Sequence, residues 1–93
     1  QNHIPIQIVD ERNRIRMIGA GITIEKEKQF GKFVSLIPYT NIVKGLTLTG
    51  FKYPLDHYDF RGFCSLGVSN EIIAESAQIT FEDGILIVIE ARD

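Results

Sequence analysis

Asp56, His57 and Asp59 crowd one short stretch, "YPLDHYDF", and two carboxylates beside an imidazole are side chains that a divalent metal selects. A zinc or iron site wants three or four ligands, and the other histidine, His3, stands near the chain start. The competing reading is a polar loop in which Asp56 caps the turn after Pro54, and on that reading no metal is assigned. Covalent chemistry has less to draw on. Cys64 is the single cysteine, with no histidine or arginine-rich stretch beside it to stabilise a thiolate, and is expected as buried filler. A serine nucleophile with its base and orienting acid finds no frame around two histidines. Gly19-Ala20-Gly21 is followed by neither a helix pattern nor Lys-Ser/Thr, so it reads as a turn and not as a phosphate cradle.

Two constellations suit binding better than catalysis. In "KQFGKFVSL", Lys28, Phe30, Lys32 and Phe33 interleave cations with rings, as small β-barrels do when they hold single-stranded nucleic acid. Glu25 and Glu27 alternate with Lys26 and Lys28 and cancel the patch, which leaves core and turn packing as the alternative. The second constellation is Tyr53 in "GFKYPL" with Ser69 and Asn70 in "LGVSNE". Tyr53 as a lid on the core before Pro54, and Ser69-Asn70 as the cap of a turn, stand beside a binding role, and the residues alone leave both open.

The elements that position these residues read as strands. Apolar residues alternate at Ile4, Ile6, Ile8; Ile15, Met17; Ile22, Ile24; Val34, Leu36; Leu46, Leu48; Ile79, Phe81; and Ile85, Ile87, Ile89. Turn chemistry separates them at 10–13, 19–21, 29–31 and 38–41, and Glu82-Asp83-Gly84 reads as a tight hairpin. About eight short strands, spaced by about ten residues, predict an all-β fold, an antiparallel sandwich or jelly-roll-like barrel. One helical turn at most is expected, over Ser69 to Ala77. The stretch from Gly50 to Asn70, with Phe51, Tyr53, Tyr58 and Phe60, keeps neither period and is expected as a long irregular loop on a rigid scaffold.

Ninety-three residues fill one core, so 1–93 is a single domain. The net charge of -2 offers no global attraction for nucleic acid. One cysteine forms no internal disulfide, which points to the cytoplasm, and no apolar run long enough to enter a membrane occurs. The chain opens at Gln1 and enters a strand pattern within a few residues, so a piece of a longer protein is expected.

"GLTLTGFKYPLD", then "SLGVSNE", then the closing "GILIVIEARD" resemble the C-terminal, thiamine-binding domain of bacterial thiamine pyrophosphokinases. The resemblance spans nearly the whole chain and is most specific at Gly50 to Leu55 and at Gly67 to Glu71. It implies an enzyme, active as the full-length protein, that transfers the pyrophosphoryl group of ATP to the hydroxyethyl oxygen of thiamine and releases AMP. It further implies a homodimer, with thiamine bound where one subunit's β domain meets its partner. ATP and Mg²⁺ would be held by an N-terminal α/β domain that this sequence does not contain, so this piece alone is expected to be inactive and to carry no cofactor. By resemblance, Tyr53 stands where the family often has Trp and gives the stacking face for the aminopyrimidine. Ser69 and Asn70 supply a hydroxyl and an amide that both donate and accept. The thiazolium cation is suited to an aromatic neighbour.

Overall fold

Period-two alternation becomes nine antiparallel strands in a computed structural model that describes residues 7–28, 30–61 and 70–92. The strands are β1 (Gln7–Val9), β2 (Asn13–Ile18), β3 (Ile22–Glu25), β4 (Phe33–Pro38), β5 (Ile42–Thr49), β6 (Leu55–Arg61), β7 (Asn70–Glu71), β8 (Ser76–Thr80) and β9 (Leu86–Ala91). They form a five-stranded sheet, β1-β2-β9-β4-β7, and a four-stranded sheet, β3-β8-β5-β6. The all-β sandwich expected from the sequence is what the chain adopts.

Among these strands only β1–β2 and β5–β6 are sequential neighbours that also pair; every other connection passes from one sheet to the other. That crossing pattern corrects one expectation. Glu82-Asp83-Gly84 is no hairpin, because β8 and β9 lie in different sheets. Its backbone is instead tied to β5, Lys44 donating to the Asp83 carbonyl and Glu82 to the Lys44 carbonyl, which turns the chain across the sandwich edge.

Burial decides which face of each strand points inward. Val34, Leu36, Leu86 and Val88 of the larger sheet meet Ile24, Val43, Leu46, Leu48, Phe60, Ala77 and Ile79 of the smaller one in a continuous core. Each of these side chains larger than alanine stabilises the fold by roughly 1.5–3 kcal/mol when removed from water. The alternating set Ile15, Met17, Ile87 and Ile89 lies on the opposite, outer face and is only half-buried, while Arg14, Arg16 and Glu90 point inward. Alternation gives the period, and a strand apolar on both faces leaves the inward face open.

One further expectation is corrected. Leu55–Arg61, read as irregular, is strand β6; register shifts against β5 and a left-handed His57 (φ 50°) break the alternation without ending the pairing. No helical turn covers residues 70–77, which instead hold β7, a bridge from Ile72 to Phe51, and the start of β8. The one helical turn among the described residues is a 3₁₀ turn at Lys26–Lys28.

Candidate functional site

Gly50 closes β5 in a left-handed conformation (φ 80°), and its carbonyl accepts the backbone N–H groups of Ile73 (2.9 Å) and Ala74 (3.2 Å). Lys52 then donates to the Glu71 carbonyl at 2.8 Å, and Phe51 bridges Ile72. The loop between β5 and β6 is thereby laced to the segment that follows Ser69. Phe51 is buried and Leu55 packs against the core.

Asn70 tightens the lacing. Its Oδ1 accepts the backbone N–H groups of Tyr53 (3.0 Å) and Glu71 (3.0 Å), and its Nδ2 donates to the Tyr53 carbonyl at 2.9 Å. The side chain is 1% exposed. A buried amide without partners would destabilise the fold, and here its bonds join the edge strand of one sheet to the hairpin loop of the other. Tyr53, by contrast, is 58% exposed, with the Lys52 ammonium 5.5 Å from its ring centroid. Tyr53 and Asn70, seventeen positions apart, therefore meet within one chain, backbone to side chain. Ser69 and Cys64 fall outside the described residues, as do His3 and Phe63.

The other candidates disperse. His57 Nδ1 lies 2.6 Å from Asp56 Oδ1 with both side chains exposed, whereas Asp59 accepts the Gly45 N–H at 3.1 Å. Among the described residues no three of His, Cys, Asp and Glu converge as metal ligands. Lys28 sits 3.8 Å from Glu25 and Lys32 3.9 Å from Glu71, and the Phe30 ring is covered by the Arg92 guanidinium at 4.2 Å. The Lys32 ammonium stands 5.6 Å from the Phe33 ring centroid, and each lysine has a carboxylate within about 4 Å. Tyr58 and Phe60, unplaced from sequence, are β6 residues packed on the core, their ring centroids 6.5 Å apart. A cleft of about 790 Å³ runs beside the laced segment between Thr23, Glu25 and Ile73 to Ser76; neither Tyr53 nor Asn70 lines it. Among the described residues no helix is long and apolar enough to cross a membrane.

Sequence reasoning missed one charged cluster. Glu90 is fully buried on β9, its Oε2 accepting Arg14 Nη2 (2.6 Å), Arg14 Nε (2.9 Å) and Arg16 Nη2 (2.9 Å). Its Oε1 faces the Phe30 N–H at 3.3 Å, so the carboxylate also holds the loop that enters β4. Burial lowers the Arg16 pKa, and the neighbouring Glu90 charge opposes that shift. The signal was available in sequence: Glu90 shares its alternation with Leu86 and Val88, and Arg14 and Arg16 bracket Ile15.

The family described as "Thiamin pyrophosphokinase, vitamin B1 binding domain" matches residues 21–86. A curated relative, thiamine pyrophosphokinase of Bacillus subtilis (strain 168), is 37% identical over all of this chain, which spans 44% of that protein's length. The crystal structure of the Bacillus subtilis enzyme superposes with a TM-score of 0.86 at 36% identity, covering 94% of this chain and 41% of that one. That of Geobacillus thermodenitrificans thiamin pyrophosphokinase gives 0.85 at 36% identity, covering 97% and 42%. The Candida albicans protein, at 19% identity and a TM-score of 0.66 over 87% of this chain and 31% of its own, shares the fold. Coverage of more than half the chain by the family, with strands and lacing in the same stretch, settles its membership: the chain belongs to the thiamin pyrophosphokinase vitamin B1 binding domain family.

Proposed function

We propose that this domain binds thiamine for a thiamine pyrophosphokinase, with the Tyr53 ring as the stacking face and the Ser69-Asn70 block bordering it. The observation that carries the reading is the lacing of Gly50–Tyr53 to Asn70–Ala74, which fixes the loop backbone while leaving the Tyr53 ring open. A flat heterocycle gains from a ring held in place before it arrives, because less ordering entropy is lost on binding. The thiazolium cation, once there, is attracted to the ring's negative face.

In this reading the domain orients thiamine for transfer of a pyrophosphoryl group from ATP, and positioning is a large part of such catalysis. By the family resemblance, ATP and Mg²⁺ are assigned to a part of a cytoplasmic enzyme that this chain, which spans 44% of the Bacillus subtilis relative, does not include. The isolated domain is accordingly inactive.

The site is completed in a homodimer. Across the outer face of the larger sheet, Ile8, Ile15 and Ile89 form one row and Met17, Ile87 and Ile37 the next, with no charged side chain in either. Ile8 is 59% and Ile37 46% exposed. Glu71 stands in the row beyond, beside Phe33; the two apolar rows match a copy of themselves across a two-fold axis, as isologous contacts require.

Calorimetry with thiamine and with a single-stranded oligonucleotide tests the ligand class, with dimerisation checked in the same buffer. Saturable heat with thiamine and none with the oligonucleotide is expected. A salt-dependent response to the oligonucleotide alone would replace the reading with a nucleic-acid module.

A further inference from the structure

Resting on the thiamine reading, we infer that Asn70 is a positioning residue: it acts on the ligand through the Tyr53 loop, and its amide oxygen makes no ligand contact. An amide oxygen has two lone pairs, and both are occupied by the N–H groups of Tyr53 and Glu71. One amide hydrogen is committed to the Tyr53 carbonyl. The orientation is fixed by this chemistry, since flipping the amide would set its NH₂ against two N–H donors and its oxygen against a carbonyl. At 1% exposure the side chain has almost no surface to offer a ligand. Both polar groups of the Tyr53 backbone are thus held by one side chain from the opposite sheet, at the residue whose ring is left in solvent.

The arrangement separates two jobs that "SNE" presents side by side. Asn70 sets where the ring stands, and recognition of the heterocycle's polar edge falls to other groups. Pre-ordering of the ring is worth affinity only if there is a ring to order, so the effects of the two residues must be coupled.

The test combines ligand-free amide exchange with a double-mutant cycle. In Asn70→Ala the Tyr53 N–H should lose its protection. In Asn70→Asp, which keeps the acceptor for both N–H groups and loses the donor, protection should largely persist. Thiamine affinity should fall roughly 5- to 150-fold in Asn70→Ala. In a Tyr53→Ala background the same change should alter affinity by no more than about twofold. Losses that multiply in the double variant would show a direct ligand contact and overturn the inference, as would a Tyr53 N–H equally protected in wild type and Asn70→Ala. If Asn70→Ala does not fold, Asn70→Ser, whose shorter side chain cannot hold both Tyr53 backbone groups, carries the cycle with the same criterion of non-additivity. Loss of Tyr53 protection in a protein that never binds thiamine would uphold the clamp and sink the ligand reading, so the two fail separately.

Discussion

Arg14 and Glu90 face each other across the β2–β9 ladder, and the arginine's Nε and Nη2 both reach the same carboxylate oxygen, at 2.9 and 2.6 Å. Arg16 adds a third bond to that oxygen at 2.9 Å. A fully buried carboxylate bonded in this way is stable as a unit and costly to break. Glu90→Ala leaves two partly buried guanidiniums without their counter-charge and should lower stability by about 3–5 kcal/mol. Chemical denaturation measures the loss. A change below about 1 kcal/mol would mean that the arginines find water instead.

Gly50 and Gly45 both hold positive φ, yet they should respond differently to alanine. A Cβ at Gly50 would meet the Ser76 carbonyl, which is backbone in a neighbouring strand, whereas one at Gly45 would meet the Glu82 side chain, which can swing aside. Both substitutions incur about 1–2 kcal/mol of left-handed strain. Gly50→Ala should exceed that and loosen the Tyr53 loop, and thermal melts of the two variants provide the comparison. Equal melting points would show that the Ser76 strand yields.

Asp10 shapes the β1–β2 hairpin, its Oδ1 accepting the backbone N–H groups of Arg12 (2.8 Å) and Asn13 (2.7 Å). The bond from Arg12 and then that from Asn13 hold its carboxyl below the ordinary aspartate pKa. With the folded value depressed, the stabilisation is fully present above the unfolded value of about 3.9 and disappears as pH falls through the folded one. Asp10→Asn should flatten that part of the acid-denaturation profile. An NMR titration placing Asp10 at or above the unfolded value would contradict the assignment.

The apolar rows on the larger sheet yield an association prediction. Ile37→Lys places a charge on the outer face, away from the core, and should shift sedimentation toward the monomer while the fold is kept. A variant that remains dimeric would remove this face from the interface.

The all-β class and the spacing of most strands were legible in the sequence, since alternation and turn residues act locally. The face of β9 was not: Ile87 and Ile89 are as apolar as Leu86 and Val88, and the register with β2 and β4 decides which set is covered. The strand at Leu55–Arg61 was hidden by its irregular pairing with β5, which destroys the period while hydrogen bonding continues. Asn70 looked like a cap because an Asn side chain usually bonds to nearby backbone. Its second partner, the Tyr53 backbone, is seventeen positions away and appears only once both sheets are assembled.

The measurement that bears most directly on the central claim is a thiamine titration of wild type and Tyr53→Ala, each confirmed folded and in the same oligomeric state. Saturable binding that weakens by about 1–3 kcal/mol on loss of the ring is the predicted result, by analogy with bases stacked on aromatics. Equal affinities in the two proteins would contradict it.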